Sequence, residues 1–224
     1  MNPVLHRFGE GRHPVVVIDN FTGKVDAIVE IAAELAPFPS DEISFYPGLR
    51  RFITTDDRAA LAYVLGLLHK AGPFIVGAFD FETFNLFDAS FSMVTTPPGA
   101  LSLPQRAPHF DTTDPNELAV LHYLSDTAGT AFYRQRLTGI EQVDEANRDR
   151  FVVHARAIAM DSSGYIHQSD AHYEQIGRVE GVADRLIIYR GSLLHSGIIP
   201  PDEPLSDDPR RGRLTANLFV LGQR

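Results

Sequence analysis

A succession of short strand-like runs after residue 90 constrains the fold of this chain more than any other feature. Each run is apolar or alternates apolar with polar residues, and Gly, Pro, Asp and Ser mark the turns between runs. The runs cover residues 91–95, 118–125, 130–134, 185–190 and 212–220. Many short strands joined by turns are typical of sandwiches and barrels. We therefore predict a jelly roll, also called a double-stranded β-helix.

Helical patterns precede most of these runs and predict a layer of helices on the sheet. A valine-rich strand over 13–19 should lead into a helix over 22–36, with Thr22 as its N-cap. A second helix over 56–70 should stop at Pro73. Both helices are predicted to cover one outer face of the sheet. The fold class is thus mainly β with flanking helices (α+β), including an N-terminal helical layer.

Three later segments are predicted from their local patterns. Residues 118–125 and 130–134 should pair as a hairpin through the turn that joins them. Residues 140–160 have a more helical pattern, and we expect this segment to cross the mouth of the barrel. The polar stretch 165–183 has little periodicity, which predicts a loop over the site.

The length of the chain favours a single domain. Its 224 residues, 44% of them hydrophobic, are enough for one substantial core and few for two ordinary domains. We predict one domain over 1–224. Within it, residues 1–95 should form a supporting helix and strand region, and residues 96–224 the jelly-roll core with the functional site.

Charge and cysteine content exclude several function classes. The net charge of −9 disfavours nucleic acid as a partner, because proteins that bind it normally present a basic surface. The absence of cysteine excludes disulfides, thiolate nucleophiles and cysteine-bound metal clusters. No signal-peptide pattern or run of about 20 apolar residues indicates a membrane span. We expect a soluble, cytoplasmic protein without a membrane partner; a homodimer is possible.

His109 and Asp111 are the first candidate metal ligands. Side chains two residues apart on an extended strand point to the same side, so this pair could bind one ion. His195 ends an apolar run and is the best candidate for a third ligand. Two histidines and one carboxylate leave three positions open, as in non-haem Fe(II) oxygenases. The competing interpretations are a turn-capping aspartate after a surface histidine, and a core histidine at 195.

The last strand-like run predicts a lined cavity. Strand alternation places four side chains on one face of this run and apolar side chains on the other. The four residues are Arg213, Thr215, Asn217 and Phe219. A polar stripe of this kind on an otherwise apolar strand indicates the wall of a binding site.

The order of these motifs resembles the 2-oxoglutarate- and Fe(II)-dependent oxygenase superfamily, and within it the prolyl-hydroxylase-like branch. The resemblance rests on His109-x-Asp111, the runs at 121–125 and 129–133, His195, and Arg213-x-Thr215. The strand and helix at the start of the chain also resemble this family, so the resemblance covers most of the sequence. It suggests a bacterial subfamily and implies a chemistry but no particular substrate.

The resemblance implies a cupin-like jelly roll and a hydroxylase. His109, Asp111 and His195 would be the catalytic metal ligands for Fe(II). The enzyme would be a dioxygenase, with 2-oxoglutarate and dioxygen as co-substrates and succinate and CO2 as products. The substrate would be a small molecule or an amino-acid or peptidyl group.

The resemblance also implies residues that bind 2-oxoglutarate. Arg213 would bind its distal carboxylate, because guanidinium forms paired hydrogen bonds with carboxylate. Thr215 and Tyr123 would donate hydroxyl groups to the same carboxylate. An insertion before Arg213 leaves Arg210 and Arg211 as competitors for this role.

Two other functions stay open at this point. One is a non-catalytic jelly-roll protein that binds a metal and a small carboxylate. The other is a cupin-type metalloenzyme that does not use 2-oxoglutarate.

Overall fold

Two antiparallel sheets form the body of the chain in this computed structural model, which describes residues 3–40, 46–158 and 163–224. The strands are β1 Pro3–Phe8, β2 His13–Ile18, β3 Gly48–Phe52, β4 Thr83–Val94, β5 Glu117–Tyr123, β6 Thr127–Gln135, β7 Tyr173–Gly181, β8 Leu186–Arg190, β9 His195–Gly197 and β10 Leu214–Gln223. The helices are α1 Val25–Glu34, α2 Arg58–Phe79 and α3 Arg148–Ile158.

The large sheet has the strand order β1-β2-β8-β5-β10-β4-β3, and the small sheet has the order β7-β6-β9. Apolar side chains of both sheets pack in one cluster, with Val17 and Ala119 from the large sheet and Phe132 and Val179 from the small one. The predicted mainly-β fold of two facing sheets is confirmed. Strands from residues 1–95 are built into the large sheet and are not separate from it.

The helical layer covers the other face of the large sheet, as predicted. Ile28 of α1 and Val64 of α2 lie in one cluster with Ala216 and Leu218 of β10. The sequence of β2 is continuously apolar because Val16 faces this cluster while its neighbours face the small sheet. A strand buried on both faces needs apolar residues at every position.

The second helix is longer than predicted. α2 continues through Pro73 to Phe79 and buries Ile75 and Phe79. A proline inside a helix costs about 3 kcal/mol, whereas each such side chain gains roughly 1.5–3 kcal/mol on burial. Burial therefore outweighs the proline. The length and mean hydropathy of α2, 1.5, would also suit a membrane span, but core helices pass the same test.

The first helix begins later than predicted because its expected cap has another partner. α1 starts at Val25, and the Thr22 hydroxyl donates a 2.6 Å hydrogen bond to Asp184. Asp184 also accepts hydrogen bonds from the Gly23 N–H and from His122 Nε2, at 2.6 and 2.9 Å. Because a carboxylate only accepts, His122 Nδ1 is left to accept from the Tyr63 hydroxyl at 2.7 Å. This buried network joins α1, α2, β5 and the turn before β8.

The predicted hairpin between residues 118–125 and 130–134 is wrong. β5 pairs with β8 and β10 in the large sheet, while β6 pairs with β7 and β9 in the small sheet. The pairing of β6 with β7 is interrupted by an irregularity between Thr127 and Thr130, and Gly129 there has φ 96°. A Cβ atom at Gly129 would lie 1.9 Å from the Val179 carbonyl oxygen, so glycine is required.

The two remaining segments differ from prediction in part. Only Arg148–Ile158 is helical in the described part of 140–160, and its predicted end at Met160 lies outside the described residues. α3 buries Phe151 against the small sheet and contributes no side chain to the cavity described below. Much of the predicted loop 165–183 is strand β7.

Candidate metal centre

His109, Asp111 and His195 meet at one point, as predicted from sequence. One ligand atom from each residue lies within 4.8 Å of the others. The two oxygens of Asp111 reach towards different histidines, at 3.7 Å from His109 Nε2 and 3.6 Å from His195 Nε2. A single ion between them would therefore have two imidazole nitrogens and one carboxylate as ligands.

The backbone holds these residues together, although not as the predicted strand. His109 forms an isolated bridge with His195, in which each N–H donates to the other's carbonyl at 2.9 Å. The Asp111 N–H donates to the Gly191 carbonyl at 2.7 Å. This local pairing suffices to direct both side chains of His109-x-Asp111 to the same side.

The protonation of the histidines suits metal binding. His195 Nδ1 lies 2.7 Å from the Leu193 carbonyl oxygen, which can only accept, so Nδ1 carries the proton and Nε2 is free to bind an ion. Burial lowers the pKa of His195 to about 4. Loss of hydration in the cavity and then the neighbouring His195 lower the pKa of His109 to about 4, although 55% of the His109 side chain is exposed to solvent. Both rings are neutral at pH 7, which is the form that binds metals.

Asp111 completes a donor set that fits Fe(II). Burial raises the pKa of its carboxyl group, while His109 and Arg50 act in the opposite direction. Two neutral imidazoles and one carboxylate match the ligand set of non-haem Fe(II) sites, with further positions open towards the cavity.

The ligands open onto a cavity of about 380 Å³ between the two sheets. Its opposite wall includes the four residues that alternation assigned to one face of β10. These are Arg213, Thr215, Asn217 and Phe219. Their neighbours Leu214, Ala216, Leu218 and Val220 lie in the helix-covered core, so the predicted alternation is confirmed, although Leu218 also borders the cavity.

Arg213 is a buried cation with unused hydrogen-bonding capacity. It is 6% exposed, and its Nη2 donates to the Gly129 carbonyl at 3.0 Å. Its Nε has no hydrogen-bond partner, and within residues 3–40, 46–158 and 163–224 no carboxylate forms an ion pair with it. A buried charge without a partner is costly, which indicates a site for an anion. The competing Arg211 and Arg210 pair with Asp208 and Glu30 outside the cavity.

The two predicted hydroxyl donors occupy different places. Thr215 lines the cavity, and its hydroxyl lies 3.5 Å from the Ser92 carbonyl oxygen. Tyr123 is fully buried and is not part of the cavity wall. Its hydroxyl is 2.6 Å from that of Thr130, which does line the cavity. Tyr123 would thus reach a bound molecule only through Thr130.

Several cavity residues were missed by the sequence analysis. Arg50, Tyr46 and Tyr189 line the cavity, as does Tyr165, which begins the segment that was predicted to lie over the site. Alternation within Gly48–Phe52 would have separated Arg50 from Arg51, but nothing local in the sequence marks which of the two faces inward. The tyrosines lie at distant positions in the sequence and meet only through the fold.

Comparison with known proteins places the chain in a family. Residues 1–220 match the sequence pattern of DUF6445, described as a family of unknown function. The chain belongs to DUF6445. No curated protein matches this DUF6445 member.

Solved structures share the fold of this DUF6445 member. HygX from Streptomyces hygroscopicus, with nickel and 2-oxoglutarate bound, has a TM-score of 0.55 at 15% identity, covering 93% of this chain and 82% of that one. A Trichoplax adhaerens prolyl hydroxylase in complex with a hypoxia inducible factor peptide has a TM-score of 0.52 at 11% identity, covering 93% of this chain and 83% of that one. SnoN, a non-haem α-ketoglutarate-dependent epimerase from nogalamycin biosynthesis, has a TM-score of 0.55 at 11% identity, covering 94% of this chain and 78% of that one.

These similarities extend over nearly the whole chain. At such identities they show the fold alone, which is the double-stranded β-helix of 2-oxoglutarate/Fe(II) oxygenases, including prolyl hydroxylases. The predicted resemblance in fold is confirmed for this DUF6445 member.

Proposed function

We propose that this protein is an Fe(II)- and 2-oxoglutarate-dependent dioxygenase. It hydroxylates a small-molecule, amino-acid or peptidyl substrate and releases succinate and CO2. One observation carries the proposal: the His109, Asp111 and His195 cluster shares a cavity with the buried Arg213, which has no ion-pair partner among the described residues. The structural similarity to HygX, which binds nickel and 2-oxoglutarate, supports it.

The residues present fit both groups. His109, Asp111 and His195 would hold Fe(II), and Arg213 would bind the distal carboxylate of 2-oxoglutarate beside the Thr215 hydroxyl. When bound, Fe(II) and the keto acid supply the oxidising chemistry with dioxygen, while the protein supplies position and environment.

The protein also excludes water from one side of the cavity. Val94, Leu101, Tyr165 and Ile199 form an apolar cluster there. The Tyr165 hydroxyl donates to the Thr96 carbonyl at 2.7 Å, which fixes the ring in the wall. A dry wall beside the metal ligands limits side reactions with solvent.

Anaerobic titration tests the proposal directly. Addition of Fe(II) and then 2-oxoglutarate to the metal-free protein should produce the visible charge-transfer band that forms only when the keto acid chelates the iron. Iron binding without a band at saturating 2-oxoglutarate would contradict the proposal and favour a cupin-type metalloenzyme or a metal-binding protein. Absence of iron binding would contradict all three.

Arg213→Gln should weaken 2-oxoglutarate binding by about 100-fold or more, because loss of one partner of a buried charge-assisted pair costs roughly 2–5 kcal/mol. Calorimetric titration of the Ni(II)-loaded protein with 2-oxoglutarate measures the change. The free energy of unfolding without 2-oxoglutarate should not fall, since the variant removes an unpaired buried cation.

Arg211→Gln is the matched control, because Arg211 is exposed and pairs with Asp208. It should leave the affinity for 2-oxoglutarate unchanged. If Arg211→Gln weakens binding and Arg213→Gln does not, the assignment of Arg213 is wrong.

A further inference from the structure

A second arginine, Arg50, faces the same cavity from the edge of the large sheet. On β3 it lies opposite Ser92 of β4, and Ser92 lies opposite Thr215 of β10. These three residues thus form one row across the sheet, so Arg50 and Thr215 project from the same face.

Aromatic rings pack against the Arg50 side chain, and Asp88, whose pKa Arg50 lowers against the larger effect of burial, forms no ion pair with it in the described part of the chain. Its guanidinium carbon lies 4.8 Å from the centre of the Tyr46 ring and 5.8 Å from that of Phe52, within the range of cation–π attraction. Its Nε is buried and has no hydrogen-bond partner, and no carboxylate in the described part of the chain pairs with it. By contrast, Arg51 pairs with Asp57 at 2.7 Å.

This arrangement leaves the Arg50 Nε–H without an acceptor among the described residues at the wall of a cavity. Stacking on an aromatic ring engages the face of the guanidinium and leaves its N–H groups in the plane free to donate. Buried donors in folded proteins normally have partners, so an unsatisfied one at a cavity wall indicates that a bound molecule accepts from it.

The balance of charges in the cavity indicates that the bound molecule is negatively charged. Among the residues that the structure describes, Arg50, Arg213 and Asp111 are the charged side chains in the cavity wall. The two histidines would bind a metal in their neutral form. With both groups of the proposed function bound, Fe(II) balances the two carboxylates of 2-oxoglutarate, and Asp111 balances Arg213. Within the described cavity wall the charge of Arg50 remains, and Asp88, on which Arg50 also acts, is not part of that wall.

Arg50 lines the same cavity as the candidate metal ligands His109, Asp111 and His195. A group bound to Arg50 would therefore share that cavity with the reacting centre. The cavity volume, about 380 Å³, is near the lower end of the roughly 300–1,000 Å³ typical of ligand sites. Beside 2-oxoglutarate, this leaves room for a small molecule.

We propose that Arg50 binds a carboxylate of the substrate, and that the substrate is a small carboxylic acid such as a free amino acid. The carboxylate would accept hydrogen bonds from Arg50 at the sheet edge, and the carbon chain would extend towards the metal ligands. The inference rests on the proposed function and narrows it, because a residue inside a peptide has no free carboxylate to offer.

Paired titrations test this inference. The probes are the twenty free amino acids and short straight-chain carboxylic acids, each compared with its carboxamide, added to protein loaded with Ni(II) and 2-oxoglutarate. At least one acid should bind about tenfold or more tightly than its amide, because removing the charge removes the ion pair with Arg50. If no acid binds more tightly than its amide, the inference is wrong.

Variants then assign the preference to Arg50. Arg50→Gln should abolish the preference for the acid over its amide, Arg50→Lys should retain part of it, and the outward-facing Arg51→Gln should leave it unchanged. Binding of 2-oxoglutarate itself should be the same in Arg50→Gln and wild type. If Arg50→Gln weakens 2-oxoglutarate binding as strongly as Arg213→Gln, Arg50 is a second co-substrate anchor and the inference is wrong.

The two proposals fail in different ways. If wild-type protein does not bind 2-oxoglutarate, the proposed function fails, whatever the outcome with Arg50. If it binds 2-oxoglutarate and shows no preference for acids, only the inference about the substrate fails.

Discussion

Asp111→Ala is expected to weaken Fe(II) binding by more than about 100-fold, since loss of even an outer-shell partner of a metal ligand costs roughly 10–100-fold. Asp111 supplies the only carboxylate in the described cluster, and its two oxygens face both histidines. Without it, two neutral imidazoles would have to hold a dication with no compensating negative charge. Calorimetric titration with Fe(II) under argon measures the change.

The fold should survive this substitution. The hydrogen bond from residue 111 to the Gly191 carbonyl uses the backbone N–H, which alanine keeps. Burial raises the pKa of the Asp111 carboxyl group, so its removal relieves a desolvation cost in the metal-free protein. The melting temperature without metal should therefore not fall.

His172 and Glu174 provide the matched control, because they form a second His-x-acid pair and lie outside the cluster and the cavity. The double variant His172→Ala/Glu174→Ala should bind Fe(II) as the wild type does. If this variant loses iron and Asp111→Ala retains it, the metal centre has been assigned to the wrong residues.

Asp184→Asn is expected to lower the free energy of unfolding by about 2–4 kcal/mol, since breaking a buried, charge-assisted network costs several kcal/mol. Asp184 is 4% exposed and accepts hydrogen bonds from His122, Thr22 and Gly23. An amide would accept fewer of these bonds and would place an N–H₂ group against other donors. Urea unfolding at pH 7 measures the loss.

The effect should depend on pH with a definite sign. Burial opposes ionisation of Asp184, but hydrogen bonds from His122, Thr22 and Gly23 outweigh it and hold the pKa of the carboxyl group well below its usual range. A lowered pKa contributes stability that is fully present above the unfolded value of about 3.9. This contribution is lost as the pH falls below that value, so the difference between wild type and Asp184→Asn should shrink there.

Asp80→Asn is the control for backbone effects. Asp80 and Asp184 both have left-handed backbone conformations, with φ 62° and 66°, which asparagine also tolerates. Asp80 is exposed at the end of α2. Its substitution should change stability by less than about 0.5 kcal/mol. An equal loss in both variants, or a loss at Asp184 that does not vary with pH, would contradict this account.

The sequence predicted the parts of the site that follow from local periodicity. Alternation along the last strand assigned Arg213 and Thr215 to a cavity wall, and the two-residue spacing put His109 and Asp111 on one side. Such patterns repeat over short stretches, so they can be identified without knowledge of the fold. The third candidate ligand, His195, was chosen because it ends an apolar run, which is a weaker signal because a core histidine could occupy the same position.

The errors arose where distant packing decides local structure. Local signals ended the second helix at Pro73, but burial of Phe79 under the sheet carries it further. The turn after β5 looked like a hairpin turn, although its strands pair with β10 and β7, which lie far along the chain. Arg50 was missed because two adjacent arginines on a short edge strand differ only in the face they present.

The mutual backbone hydrogen bonds between His109 and His195 bear on how the protein would bind and release the proposed metal ion. Each residue donates to the other, so the two ligand-bearing segments are closed against one another whether or not an ion lies between their rings. The loss of chain entropy needed to gather the ligands thus occurs during folding and not during metal uptake. Exchange of one metal ion for another would then depend on the ligand atoms alone. The backbone that positions them would keep its conformation when the metal is removed and when it is bound again.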